Sequence, residues 1–150
     1  MVAELKKTRI LMVKRDTNEI TASVNYRGDL NQTFPADHNA RYARNLKELF
    51  GVEIVPVEAE EFYEAYKNVD LKRADEVAEE WIRGARKVEA ARREIIKTAR
   101  GYLALDFLRT KYECNAVSTH IRTVTGSGKR EDLFNPGLGL SPAVEATLRM

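Results

Sequence analysis

An unbroken run of four apolar residues near the beginning of the sequence constrains the fold more than any other feature. The run, at positions 10–13, reads Ile-Leu-Met-Val and leaves no position for a strand face in contact with water. A strand over residues 8–15 would therefore be covered on both faces, which is typical of a parallel sheet with helices on each side. The run predicts an α/β domain.

The other periodic segments predict how strands and helices alternate. Further strands are expected at residues 52–57 and 114–123, and a polar, aperiodic loop at residues 16–35. Apolar spacings of three and four predict helices at residues 35–50, 59–66, 71–85, 89–111 and 142–150. The order β-α-β-α-α-α-β-α favours one domain over residues 1–150, an open and mostly parallel sheet flanked by helices in three layers, as in flavodoxin-like and Rossmann-like folds.

Local signals mark where these helices begin, end and pack. Gly51 is a stop for the first helix, Asp70 is a cap for the third, and Gly84 suggests a break before the long fourth helix. In that helix, apolar residues four apart form the predicted buried stripe, Ile95, Ala99, Leu103 and Phe107. The stripe predicts packing through one face.

Composition and charge exclude several classes of protein. The 150 residues are 43% hydrophobic and 32% charged, which is typical of a globular chain, and no apolar run reaches the ~18 residues that span a bilayer. The net charge is +2. Residues 1–75 carry 12 basic and 13 acidic side chains, a net charge of −1, and residues 76–150 carry 13 basic and 10 acidic side chains, a net charge of +3. This asymmetry is too small for a nucleic-acid-binding protein. The single cysteine, Cys114, excludes an internal disulfide and is expected in a reducing cytoplasm.

Two segments resemble catalytic or binding motifs but lack part of the pattern. The segment Thr-Gly-Ser-Gly-Lys at 125–129 is similar to a phosphate-binding loop, but Thr123 stands at the first glycine position and Arg130 at the final Ser or Thr position. Cys114 and His120 are six strand residues apart, roughly 20 Å, which is too far for a nucleophile and its base. A surface turn and a small buried thiol are the simpler interpretations.

Two runs of charged residues are best interpreted as solvated helix faces. Four basic residues at helical spacing could bind phosphate, but no aromatic side chains are interleaved with them. This basic stripe consists of Arg86, Arg93, Lys97 and Arg100. The acidic run at residues 58–64 is likewise expected to be exposed.

Polar residues that follow the first and third strands are the best candidates for ligand contacts. In open α/β sheets, ligands bind beyond the carboxyl ends of the strands. Asn25, Arg27 and Asp29 follow the first strand, and His120 lies at the end of the third. For His120, a structural role is the alternative.

Three segments, read in order, resemble a known family. The first segment combines residues 8–13 with residues 46–70, and the latter begin with LKELFGVEIVPVE. The second segment is residues 73–117, which begin with RADEVAEEWIRG, and the third is residues 133–150, LFNPGLGLSPAVEATLRM. Together they resemble the middle domain of the L-fucose isomerase and L-arabinose isomerase superfamily. The resemblance covers most of the chain.

The resemblance implies a ketol isomerase, which interconverts aldoses and ketoses by proton transfer between C1 and C2 of an enediol intermediate. It also implies a divalent metal, commonly Mn²⁺, that is held by carboxylates and a histidine and polarises the sugar oxygens. The resemblance implies no metal ligand among the residues of this chain. In the family the first ligand follows the helix that begins here at Ser141, and the other ligands lie in a further domain. Gly137 stands where relatives often have cysteine.

The expected protein follows from these implications. We expect a domain of a cytoplasmic, homo-oligomeric isomerase of carbohydrate metabolism, whose partners are the sugar substrate and the remaining domains of the same enzyme, with no nucleic acid and no membrane. The 150-residue chain alone is expected to be an inactive fragment, truncated at its C-terminal end, that binds no metal. The residues expected to face the substrate cleft are His120, Arg122, Asn135, Asn25 and Arg27.

A different class of protein fits the same patterns. A stand-alone binding or interaction module with a flavodoxin-like fold needs no catalytic residues, and its partner surface would be the basic stripe or the last helix. In a fragment, the apolar residues Val144 and Leu148 of that helix would lack a covering strand and would pair with another copy or remain mobile. In a self-sufficient module, the helix would be packed.

Overall fold

The structure, a computed structural model, describes residues 6–14 and 38–119. Within these ranges the strands are β1 (Arg9–Lys14), β2 (Glu53–Glu58) and β3 (Ala116–Thr119), and the helices are α1 (His38–Phe50), α2 (Ala59–Lys67), α3 (Leu71–Gly84) and α4 (Arg92–Lys111). Their order agrees with the prediction up to the third strand. The predicted loop at residues 16–35 and the predicted helix at residues 142–150 lie outside the described residues.

The three strands form one parallel sheet in the order β2-β1-β3. β1 is the central strand, so Leu11 lies beside Val55 on one side and beside Val117 on the other. The chain passes from β1 to one neighbour and then returns across the sheet to the other. Right-handed crossovers place α1 on one face of such a sheet and α2, α3 and α4 on the opposite face. The predicted α/β fold, an open parallel sheet flanked by helices, is confirmed.

The main core lies between one face of the sheet and the helices α2 and α4. Alternation along the strands turns Leu11, Val13 and Val57 towards this face, where they meet Phe62 of α2 and Leu105 of α4. Each of these side chains is at most 2% exposed. Burial of each one stabilises the fold by about 1.5–3 kcal/mol.

The opposite face of β1 is covered less completely than the sequence predicted. Ile10 and Met12 are half-buried, whereas the apolar run predicted full burial on both faces. The main strand contact of α1 is with β2. Ala43 and Leu46 of α1 are half-buried, and no α1 side chain that the structure describes is fully buried. α1 therefore lies at the margin of the described sheet.

The end of α1 requires a glycine, as the sequence predicted. Gly51 has a φ of +73°, a left-handed conformation that L side chains rarely adopt. Its amide donates to the carbonyl of Lys47 at 2.9 Å and closes the last turn. A Cβ at this position would lie 2.8 Å from Cα of Lys6, so the chain before β1 also passes too close for any other residue.

The cap of α3 and the break after it are also confirmed, and the stripe predicted for α4 is confirmed in part. Oδ1 of Asp70 accepts the Lys72 amide at 2.8 Å, and α3 ends at Gly84. In α4, Ala99 is buried, and Ile95 and Leu103 pack beside it against α3. The remaining stripe residue, Phe107, is 60% exposed. The buried α4 residues are Thr98, Ala99, Gly101, Ala104, Leu105 and Leu108. They surround more of the helix than one stripe because α4 packs on α3 along one side and on α2 and the sheet along another.

A sharp turn connects α4 to β3. Glu113 adopts a left-handed conformation, with φ at 53°. The amide of Cys114 donates to the carbonyl of Arg109 at 2.8 Å, and that of Glu113 donates to Thr110 at 3.1 Å, which is the hydrogen-bond pattern of a Schellman motif. Cys114 therefore lies in the turn before β3, although the sequence placed it in the strand, and it is buried as predicted.

Candidate functional site

The carboxyl edge of the sheet has the geometry that α/β proteins use for ligand binding. β1 and β3 are neighbours, with Val13 beside Thr119 at their carboxyl ends. The chain reverses its direction of progress across the sheet between these two strands, and such switch points open a crevice for ligands. Oγ1 of Thr119 is buried there and has no hydrogen-bond partner among the described residues. A buried hydroxyl without a partner is uncommon and fits a position that a ligand, a water or a residue outside the described ranges satisfies.

The sequence-predicted cleft residues follow these same two strands. Asn25 and Arg27 come after β1, and His120, Arg122 and Asn135 come after β3. All five lie outside the described residues, so their placement in the substrate cleft stays a prediction. The strand order, which the sequence did not predict, makes β1 and β3 adjacent, and these are the strands that the five residues follow.

The opposite, amino edge of the sheet is closed by a hydrogen-bonded cluster around Arg9. Its guanidinium bonds to the carboxylate of Glu53 at 3.0 Å and to the carbonyl of Tyr112 at 3.2 Å. Asn115 accepts from the Arg9 amide at 2.9 Å and donates to the carbonyl of Lys7 at 2.9 Å. These bonds join β1, β2 and the turn before β3, which is a structural role.

Glu61, in the first turn of α2, is the centre of a second polar cluster. Lys111 donates to Oε1 of Glu61 at 2.7 Å, and the Tyr112 hydroxyl donates to Oε1 at 2.8 Å and lies 2.9 Å from Oε2. Burial opposes ionisation of Glu61, but the hydrogen bonds from Lys111 and Tyr112 outweigh it and lower the pKa of the carboxyl. The bond to Glu61 raises the pKa of both Lys111 and Tyr112. All three groups therefore keep their ordinary neutral-pH charge.

A cleft of about 420 Å³ opens beside this cluster, between α2, the start of α3, and α4. Its apolar lining is Ala65, Val69, Leu103, Phe107 and Leu108, and its polar lining is Glu61, Glu64, Asn68, Asp70, Arg73 and Lys111. Clefts of this size, with apolar walls and a few polar groups, are of the kind that bind small molecules.

Two predictions about charged runs need correction. Glu61 was expected on an exposed helix face but is half-buried, because Lys111 and Tyr112 reach it from the end of α4. The basic stripe does not form a continuous solvated face. Arg86 lies in the connection between α3 and α4, and Arg100 is half-buried with its guanidinium 4.3 Å from the centre of the Tyr66 ring.

No group of three His, Cys, Asp or Glu side chains in residues 6–14 and 38–119 is arranged to hold a metal ion. These residues do not by themselves form a site for the Mn²⁺ that the resemblance implies. In the same ranges, no helix is both long enough and apolar enough to cross a membrane.

No protein-family model matches the chain, and a search of curated proteins finds no match. The resemblance to the isomerase superfamily therefore stays a prediction from the sequence.

Proposed function

We propose that this chain is an α/β domain of a metal-dependent aldose–ketose isomerase of the L-fucose and L-arabinose isomerase type. The single observation that supports this function best is the strand order. It makes β1 and β3 neighbours, and the polar residues Asn25, Arg27 and His120 follow those two strands. In the proposed enzyme this edge of the sheet contributes to the sugar site, while the metal ligands come from parts of the enzyme that this chain does not contain.

The side chains after β1 and β3 have the chemistry that sugar recognition needs. Asparagine amides donate to and accept from hydroxyl groups, and arginine donates from several N–H groups in a fixed plane. The buried hydroxyl of Thr119 adds one more polar group at this edge. The proposed enzyme is cytoplasmic and homo-oligomeric, and its partners are the sugar and the other domains of the same protein.

Hydrogen exchange at C2 of the substrate tests the proposal. The gene product that contains this chain is incubated with a panel of pentoses and 6-deoxyhexoses in D₂O with added Mn²⁺, beside the 150-residue chain. Loss of the C2 proton signal and formation of the ketose are expected with the gene product and not with the chain alone. Activity of the chain alone would show that the proposed location of the metal ligands is wrong.

Two substitutions then connect the activity to this edge. Arg122→Ala and Asn25→Ala are expected to lower kcat/KM at least about tenfold, because each removes a hydrogen-bonding group from the sugar. Lys47→Ala, on the exposed last turn of α1, is the matched control and is expected to have no effect. If neither the gene product nor the 150-residue chain exchanges the C2 proton of any sugar in the panel, the isomerase proposal is overturned.

A stand-alone binding module is the second candidate function, and the cleft between α2, α3 and α4 favours it. Its walls come from α2, α4, the start of α3 and the turn between α2 and α3. The absence of sugar isomerisation together with ligand binding at the cleft would support this candidate.

A further inference from the structure

We propose that the cleft between α2, α3 and α4 binds a small organic cation with an apolar body, such as a primary amine attached to an aromatic ring. The inference is independent of the isomerase proposal. The cleft is lined by Glu61, Glu64 and Ala65 of α2, whereas Phe62 and Tyr66 of that helix pack in the core against the sheet.

The apolar half of the cleft provides the surface for the body of the ligand. Leu108 is completely buried at its base, and Val69 and Leu103 are half-buried. Phe107 is 60% exposed, which leaves much of an aromatic side chain in water. A ligand ring that packs against Phe107 would remove this apolar surface from water and would gain the additional attraction between aromatic rings.

The other half offers hydrogen-bond acceptors at the turn between α2 and α3. Glu64 uses Oε1 for Lys67, and Asp70 uses Oδ1 for the Lys72 amide, so each retains a second carboxylate oxygen. Asn68 donates its Nδ2 to the carbonyl of Glu64, which leaves its Oδ1 as a third acceptor. An ammonium group has three N–H donors and no acceptor, and it therefore matches this set.

The charges of the cleft favour a cation over an anion. Its lining carries three carboxylates and two cations. Both cations already have carboxylate partners, since Lys111 is 2.7 Å from Glu61 and Arg73 is 3.1 Å from Glu76. Of the three carboxylates, Asp70 is the one that has no ion pair among the described residues, so it is the charge that a cationic ligand would compensate. The pair between Glu64 and Lys67 is 65–67% exposed, and such surface pairs contribute little, so a ligand can replace Lys67 at low cost.

Calorimetric titration with 4-phenylbutylamine tests the site, with 4-phenylbutanol and 4-phenylbutyrate as matched neutral and anionic probes. The amine is expected to bind with a Kd below about 1 mM, the order expected of a ligand of this size, and at least about fivefold more tightly than either of the other probes. Equal affinity for the three probes, or no binding of the amine, would overturn the proposal.

Two substitutions locate the binding at the cleft. Asp70→Asn removes the charge and keeps a side chain that can cap α3, and Phe107→Ala removes the exposed ring. Each is expected to weaken amine binding at least about fivefold. The controls are Glu89→Gln and Leu49→Ala, an exposed acid and an exposed apolar residue outside the cleft, and they are expected to change the affinity less than twofold. Equal effects of the cleft and control variants would place the amine elsewhere and refute the inference.

Discussion

The turn after α4 allows the cost of an unfavourable backbone conformation to be measured. Glu113 has a φ of 53°, a left-handed conformation that costs an L-residue about 1–2 kcal/mol. Glycine adopts it freely but loses about 0.4–1 kcal/mol more conformational entropy on folding. The difference predicts that Glu113→Gly raises the free energy of unfolding by about 0.5–1 kcal/mol.

Little else at this position offsets the gain. The Glu113 side chain is exposed, and in the described part of the chain it makes no hydrogen bond or ion pair that the substitution would remove. The hydrogen bonds of the turn come from backbone amides and are retained in the variant. With a urea m-value of about 1.5–2 kcal/mol/M, the unfolding midpoint is expected to rise by about 0.3–0.7 M.

Glu113→Ala is the matched control for this measurement. It removes the same carboxylate but keeps a Cβ in the left-handed conformation, so its midpoint is expected to stay close to that of the parent chain. A Glu113→Gly midpoint no higher than that of Glu113→Ala would refute the reasoning, because the two variants differ in backbone strain.

Three further predictions follow from the fold and the polar cluster. Gly51→Ala is expected to lower the free energy of unfolding by at least about 1–2 kcal/mol in urea titrations, because it adds a Cβ to a left-handed residue, 2.8 Å from Cα of Lys6. Its control, Gly84→Ala, adds a Cβ with no other atom within 4 Å and should not destabilise the chain. Leu105→Ala is expected to cost about 2–5 kcal/mol, since Leu105 is completely buried, and an unchanged thermal midpoint would contradict this. The lowered pKa of Glu61 stabilises the fold above the unfolded pKa of about 4.3, and this contribution is lost as the pH falls through the folded pKa. Glu61→Gln should therefore flatten the fall in urea midpoint between pH 5 and pH 3, and an unchanged profile would contradict the cluster.

The parts of the fold that depend on local patterns could be predicted from the sequence. The apolar run in β1 specifies a strand of a parallel sheet, because no position in it suits a solvent-facing side chain. Gly51 ends α1 and Asp70 caps α3 because each effect requires one residue type within a single turn.

The features that depend on distant contacts could not be predicted in this way. No strand's own sequence specifies the order of the strands in the sheet, since β3 could have joined either edge. The stripe predicted for α4 describes only the side that packs on α3, because a second partner, formed by α2 and the sheet, buries another side of the helix. Glu61 was overlooked as a polar centre because its partner Lys111 lies 50 positions away.

The two candidate sites also differ in whether a local sequence pattern predicts them. The cleft residues proposed from strand ends, such as His120 and Asn25, depend on a general property of α/β sheets, and their contacts stay predictions. The cleft between α2, α3 and α4 had no sequence signal, because its walls come from three helices and an exposed Phe107 appears in the pattern as a core residue.

The position of β1 has a consequence for synthesis of the chain. β1 is the first of the three described strands to be made but lies between the other two, and its bonds reach Glu53, 44 positions later, and Asn115, 106 positions later. At about 5–20 residues per second, the ribosome needs roughly 5–20 s to supply the second neighbour. Until then at least one edge of the apolar strand stays open, a state that chaperones bind and from which aggregates grow. The speed of translation, as well as the final packing, therefore influences how much folded protein a cell obtains.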